Sequence, residues 1–252
     1  MTMPSQMPVA HAWREMHIDI AFQPIFDLDA GGVCAYEALV RGAAGESAAS
    51  VLSRVPGGLR TEFDVRVGMA AVGKAMRMGL GASGAALTIN MTPATSLVAA
   101  RTLLRMMEAM HDAGLAMHRM IFELTESAQL EDREARAVAL AIRAHGFRLA
   151  LDDFGAGYSG LVTLAQLPTD WVKLDMALIR HIDRDPARRL IVAKVVQMLR
   201  DLGREVVAEG IETPGELAAV RALGIAKVQG FLLGRPSRTE LRARPGPLMR
   251  VA

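Results

Sequence analysis

Ile18–Leu28 (IDIAFQPIFDL) and Val33–Arg41 (VCAYEALVR) read as two strands, with only Asp29-Ala30-Gly31-Gly32 between them. So short a link makes an antiparallel pair, because a parallel crossover needs about a dozen residues or more. The rest of the chain follows another rhythm. Strands are expected at Ala85–Met91, Arg119–Leu124, Phe147–Asp152, Trp171–Asp175, Glu205–Glu209 and Lys227–Leu232. Segments of helical period are expected at Phe63–Leu80, Leu97–Ala113, Glu131–His145, Ser159–Leu167, Pro186–Leu202 and, after a capping Thr213, Pro214–Leu223. Strand, helix, strand at intervals of about 30 residues builds a parallel sheet. With the hairpin included, the count of eight strands favours a closed α/β barrel of the (β/α)8, TIM-like type with its first strand antiparallel. An open doubly wound sheet is the less favoured alternative.

No Gly/Ser/Pro linker divides the chain. One domain is expected over 18–236, with a leader at 1–17 and a tail at 237–252. A hydrophobic fraction of 51% suffices for a sizeable core, and many of the 16 methionines fall at helical spacing (Met76, Met78, Met106, Met107, Met110), as core fillers do. The net charge of +2 comes from scattered arginines rather than a basic stripe with interleaved aromatics, so no DNA or RNA groove is indicated. The single cysteine, Cys34, excludes an internal disulfide framework and fits a reducing compartment. The first 16 residues lack the features of a signal peptide, and no apolar run approaches a membrane span. A soluble cytoplasmic protein is the expectation.

In such a barrel the C-terminal ends of the parallel strands converge on one face. Here those ends carry Glu37, Asn90, Glu123, Asp152 with Asp153, Lys173 with Asp175, Glu209 and Gln229. A packed core has no use for so many carboxylates, and their convergence points to a functional site. The donors are oxygens, with no His or Cys at these ends, which suits Mg²⁺ or Mn²⁺ and argues against Zn²⁺ or copper.

Asp152 and Asp153 are the anchor. Two adjacent acids ending a buried strand repel one another and lose solvation, and a divalent cation offsets both costs. A helix N-cap would account for one of them and leave the other unexplained. Neighbours on a regular strand point to opposite faces, so both serve one site only if the backbone curls, and Gly155 and Gly157 in the following loop permit that. A bridging Asp with a second ligand one residue on suits two metals about 3.5–4 Å apart, the arrangement that stabilises in-line displacement at phosphate. Lys173 beside the cluster could hold a nucleophilic water or an anionic oxygen; a buried ion pair with Asp175 is its structural alternative.

The chain resembles the EAL-domain cyclic di-GMP phosphodiesterases from about Ile18 to Pro236. The resemblance rests on Gln23-Pro24-Ile25, Glu37-Ala38-Leu39, Ile89-Asn90-Met91, Glu123-Leu124-Thr125-Glu126, Asp152-Asp153-Phe154-Gly155, Lys173-Leu174-Asp175, Ala208-Glu209-Gly210-Ile211-Glu212-Thr213 and Gln229-Gly230-Phe231. It implies two ions, Mg²⁺ or Mn²⁺. Glu37, Asn90, Glu123 and Asp152 would hold one, Asp152 with Asp153 the other, and Glu209 also belongs to the metal set. Lys173 and Glu209 would hold and deprotonate the attacking water, with Glu209 the general base, while Glu37 and Gln229 assist. Gln23, Glu37, Leu39, Arg41, Asn90, Asp175, Gln229 and Phe231 would contact the dinucleotide, Arg41 facing a phosphate. The implied reaction opens cyclic di-GMP to linear pGpG, and the implied assembly is a homodimer governed by a sensory domain or partner protein not in this chain.

Two departures sit in the loop after Asp153, where Ala156 and Gly160 replace the Thr and Ser of many members. They bear on loop ordering and turnover rather than on metal ligands. Glu126, which the resemblance makes a brace for this loop, is present, although a helix-start charge near Ser127 is an equal reading. The alternatives are a cyclic di-GMP receptor of the same fold and a barrel hydrolase of another phosphodiester. His111-Asp112 lies in an expected helix and reads as a surface pair rather than part of an HD-type site.

Overall fold

The hairpin closes as its short link requires. β1 (Ile18–Asp27) pairs antiparallel with β2 (Gly32–Gly42), setting Gln23 opposite Glu37. In the turn, Asp27 Oδ1 accepts from the N–H groups of Asp29 and Ala30, and Gly31 takes a left-handed φ of 69°. This computed structural model describes residues 13–92, 106–108, 112–125, 133–157 and 160–243. Beyond β2 the strands are β3 (Ala86–Asn90), β4 (Met120–Thr125), β5 (Arg148–Phe154), β6 (Trp171–Leu174), β7 (Glu205–Ala208) and β8 (Lys227–Val228). Neighbours from β2 to β8 are parallel. β1 returns antiparallel onto β8, Phe26 opposite Val228, and the eight strands form a closed barrel in sequence order.

Around it lie α1 (Ala48–Leu52), α2 (Arg60–Arg77), α3 (Leu80–Ser83), α4 (Arg133–Ala144), α5 (Gly160–Gln166), α6 (Met176–Ile179), α7 (Pro186–Asp201) and α8 (Pro214–Ala222). Two of the longer helices start on side-chain caps, the expected Thr213 among them, whereas α2 has none. Asp185 caps α7 by accepting from Arg188 N, and Thr213 with Glu216 forms a capping box on α8. The single turns α1, α3 and α6 are too short to show a period and were not expected from the pattern. Most of the helix expected at Leu97–Ala113 lies outside the described residues; within it, 106–108 and 112 are helical.

The period of two along the strands divides the core. Outward positions such as Tyr36, Leu87, Phe122 and Leu149 pack with Phe63, Val72 and Ile142; on the other half Leu151, Val172 and Val228 pack with Val192, Val196 and Val220. Inside, Ile25, Ala35, Ala86, Ile121, Ala150, Trp171 and Val207 form a separate apolar cluster, one residue from each of seven strands. Two residues along from them stand Gln23, Glu37, Thr88, Glu123, Asp152, Lys173 and Glu209. A greasy floor thus supports a polar layer, and the strand period alone puts that layer inside the barrel.

The observed strand ends differ from expectation by one or more residues, and at β5, β6 and β8 the reason is local. β5 runs on to Phe154 through a register irregularity after Leu151, because Asp153 itself adopts a left-handed φ of 56°. The curl therefore begins at Asp153, ahead of the glycines; Asp tolerates this region better than most residues. β6 ends at Leu174 because Asp175 caps α6, its side chain accepting from Ala177 N. β8 stops at Val228 because the chain then wraps around Ile211: Ile211 N donates to Gln229 O and Leu232 N to Ile211 O, both at 3.1 Å. Gly230 is needed at that crossing, since a Cβ there would collide with the Ile211 backbone.

Trp13, ahead of the barrel, is buried edge-on against Phe63 at 6.0 Å between ring centroids. Past the last expected domain residue, Ser237 exchanges backbone hydrogen bonds with Phe22. Among the described residues no helix is long and apolar enough to cross a membrane.

Candidate metal centre

Lys173 on β6 is 1% exposed and stands among four carboxylates, three from other strands and Glu209 just past the end of β7. Its Nζ lies 2.8 Å from Glu209, 2.9 Å from Asp152, 3.1 Å from Glu123 and 3.5 Å from Glu37. From the far sides, Gln229 Nε2 donates to Glu37 Oε2 at 2.7 Å and Asn90 Nδ2 to Glu37 Oε1 at 3.3 Å. One ammonium cannot balance four carboxylates. Glu123 Oε2 and Gln229 Oε1 are buried without a hydrogen bond, and Glu123 Oε1 and Asp152 Oδ1, also without one, face only the Lys173 ammonium. Buried oxygens left in that state cost free energy unless a cation takes them up.

The electrostatics record the shortage of positive charge. Burial pushes the Glu123 carboxyl well above the usual range; Lys173 opposes this, and Glu37, Asp152 and Glu209 add to it. Burial also raises Glu209, to about 8, against Lys173 and with Asp152 and Glu37. Asp153 rises to about 6 through burial and then the charges of Asp152 and Asp175. Burial would push the Lys173 ammonium down, but Asp152, Glu123, Glu209 and Glu37 together hold it well above the usual lysine range.

Asp152, Asp153 and Glu209 each offer an oxygen, all within 4.8 Å of one another. The left-handed backbone at Asp153 makes this possible, bringing two sequence neighbours to one side. Oxygen-only donors, orphaned buried oxygens and excess negative charge fit a hard divalent cation.

A cleft of about 260 Å³ opens over this layer. Gln23, Glu37, Leu39, Asp153, Asp175, Glu209, Gln229 and Phe231 line it; buried Glu123, Asp152 and Lys173 and half-buried Asn90 are not part of the lining. Arg41 is not part of the wall; its guanidinium donates to Val40 O at 2.8 Å. Asp175 does not serve as the partner of Lys173, its side chain being engaged by Ala177 N at 2.7 Å. Gly155 adopts φ 97° in the loop after β5, where Gly157 also lies. Glu126 lies outside the described residues.

Residues not singled out from the sequence also contribute. Thr88 is fully buried in the polar layer with its hydroxyl unpartnered. Its place two residues before Asn90 was the available signal. Met176, Gly210 and Glu212 line the cleft, and Arg180 holds Glu212 at 2.8 Å.

The family model of the EAL domain matches residues 8–236. The chain belongs to the EAL domain family. A standalone versatile EAL protein from Vibrio cholerae, solved in its c-di-GMP-bound form, is 34% identical, with a TM-score of 0.86 over 94% of this chain and 99% of that one. BlrP1 of Klebsiella pneumoniae, solved with manganese and cyclic di-GMP, is 31% identical, with a TM-score of 0.82 over 97% of this chain and 59% of that one. The probable cyclic di-GMP phosphodiesterase PdeA of Escherichia coli is 27% identical over 83% of this chain and 31% of its own. This EAL domain spans about a third or less of the length of the curated relatives it matches. Its name-giving triplet is Glu37-Ala38-Leu39 on β2, with Glu37 in the Lys173 cluster and Leu39 on the cleft wall.

Proposed function

We propose that this EAL domain is a metal-dependent phosphodiesterase that hydrolyses cyclic di-GMP to linear pGpG. The observation that carries the reading is the Lys173 cluster, where four carboxylates surround one buried ammonium and leave buried oxygens without hydrogen bonds beside an open cleft. The relatives named for cyclic di-GMP hydrolysis or solved with that ligand supply the substrate class.

Glu37, Asn90, Glu123 and Asp152 would hold one ion, and Asp152 with Asp153 the second, with Glu209 contributing. Mg²⁺ or Mn²⁺ bound there supplies Lewis acidity at the phosphate and lowers the pKa of water. The protein's own groups do the rest. Cations beside Glu123, Asp153 and Glu209 favour their ionised forms, reversing the upward push of burial, and an ionised Glu209 is the form a general base requires. Lys173 donates to the attacking water and keeps its charge through the step, because its carboxylate neighbours hold its proton. Glu209 takes the proton of that water. Gln229 orients Glu37 by donating to its Oε2 at 2.7 Å, and Asn90 reaches the other oxygen at a longer 3.3 Å. Gln23, Leu39 and Phe231 accept the dinucleotide, the 46% exposed Phe231 ring offering a face to a guanine. The same reading makes the working unit a cytoplasmic homodimer under a sensory domain or partner.

Purified protein incubated with cyclic di-GMP and Mg²⁺ or Mn²⁺ and resolved by chromatography tests this. Accumulation of pGpG, abolished by a chelator, is expected. Tight binding without pGpG would replace the enzyme reading with that of a receptor.

A further inference from the structure

Asn90 sits where β3 ends, and the loop that leaves it is fastened from two sides. Met91 N donates to Glu123 O on β4 at 2.9 Å. Thr92 N donates to Asp64 Oδ2 on α2 at 2.7 Å. The helix reaches this loop because it lies close to β3: at Gly68, one turn after Asp64, an added Cβ would press on Met106 and lie 3.6 Å from Ile89. The helix is itself well seated. Phe63 stacks edge-on with Trp13, and Arg66 donates to Trp13 O and Met16 O at 2.7 and 2.5 Å.

By contrast, the side-chain bond of Asn90 to Glu37 is long, at 3.3 Å, and orients the amide weakly. The position of Asn90 therefore depends on its backbone, and Asp64 holds the second N–H beyond it. Burial pushes the Asp64 carboxyl up, opposed by the side chain and backbone of Thr92 and by Arg60.

We propose that Asp64 is a positioning residue of the metal centre, acting through Thr92 on Asn90. The inference rests on the proposed function, since it takes Asn90 to be a ligand of the first ion. Groups that orient ligands from behind typically change metal affinity or activity by about 10–100-fold.

The test is Mn²⁺ titration of the substrate-free protein by electron paramagnetic resonance, with steady-state kinetics and urea midpoints alongside. Asp64→Ala is expected to weaken the tighter Mn²⁺ site about tenfold or more and lower kcat, with KM nearly unchanged. Asp64→Asn, whose amide oxygen still accepts from Thr92 N, is expected to recover most of the loss. In the background of Asn90→Ala the Asp64→Ala change should add little, because both remove one function. Wild-type Mn²⁺ affinity in folded Asp64→Ala, or full additivity with Asn90→Ala, would overturn the proposal. Should Asp64→Ala fail to fold, Asp64→Glu shifts the carboxylate by one methylene, and unchanged Mn²⁺ binding there would overturn it equally. A wild type that binds no Mn²⁺ removes the underlying metal reading, whereas indifference of Mn²⁺ to Asp64 removes this inference alone.

Discussion

Glu209 Oε1 and Lys173 Nζ stand 2.8 Å apart at the ends of adjacent parallel strands, one a buried acid and the other a buried cation. The pair presents an acceptor and a donor side by side next to the cleft, the combination a nucleophilic water needs. Glu209→Gln keeps the shape and removes the base. Steady-state assays should show kcat falling by roughly 10²–10⁴-fold while cyclic di-GMP binding, read by calorimetry, survives. Rates like those of the wild type would contradict the assignment.

Asp152 tests the other half of the centre. Its buried Oδ1 lies 2.9 Å from Lys173 Nζ with no hydrogen bond, and it belongs to the oxygen cluster with Asp153 and Glu209. Asp152→Asn should lose metal affinity and activity together, because the proposed bridging ligand loses its charge. A metal titration curve unchanged from the wild type would rule out bridging.

The floor of the barrel should matter for stability rather than chemistry. Trp171 is 2% exposed in the inner apolar cluster, with Arg148 and Lys227 over its ring at 5.3 and 5.8 Å. Trp171→Ala leaves a large cavity and should cost about 3–5 kcal/mol in urea unfolding, with Trp171→Phe costing less. Equal midpoints for Trp171→Ala and wild type would mean that the floor does not support the fold.

Much of this was legible beforehand because a strand has a strict period. Once Ala35, Ile121, Ala150 and Val207 are assigned inward, Glu37, Glu123, Asp152 and Glu209 follow two residues on, and the parallel rhythm sends them to one end. The hairpin was equally legible, since Asp29-Ala30-Gly31-Gly32 leaves the chain no other path. Contacts distant in sequence were not. Nothing near Gln229 announces that the chain must wind around Ile211, and nothing near Asp175 separates a helix cap from a partner for Lys173. The left-handed turn at Asp153 was hidden because the neighbouring glycines carry the stronger signal for such a conformation.

Glu216 supplies a pH signature away from the centre. It is 1% exposed and accepts from the N–H groups of His181, Glu212 and Thr213, while Arg180 approaches to 3.5 Å. Burial pushes its carboxyl up, but these hydrogen bonds and Arg180 outweigh that and hold it below its ordinary value of 4.5. The folded state therefore binds fewer protons than the unfolded chain in this acid range. The stabilisation is complete above about pH 4.5 and is lost as pH falls through the depressed folded value. Glu216→Gln keeps an acceptor in the capping box but removes the titration, and should flatten the acid limb of the stability profile. An unchanged acid limb would contradict this account of the two loops that Glu216 joins.

The most direct test of the central claim is hydrolysis of cyclic di-GMP in ¹⁸O-labelled water with Mg²⁺ or Mn²⁺, read by mass spectrometry of the product. Attack of water on one phosphodiester predicts pGpG carrying one heavy oxygen on its terminal phosphate, with no product when the metal is chelated. Intact cyclic di-GMP after prolonged incubation of metal-loaded protein, or turnover that persists in full after chelation, would contradict the account.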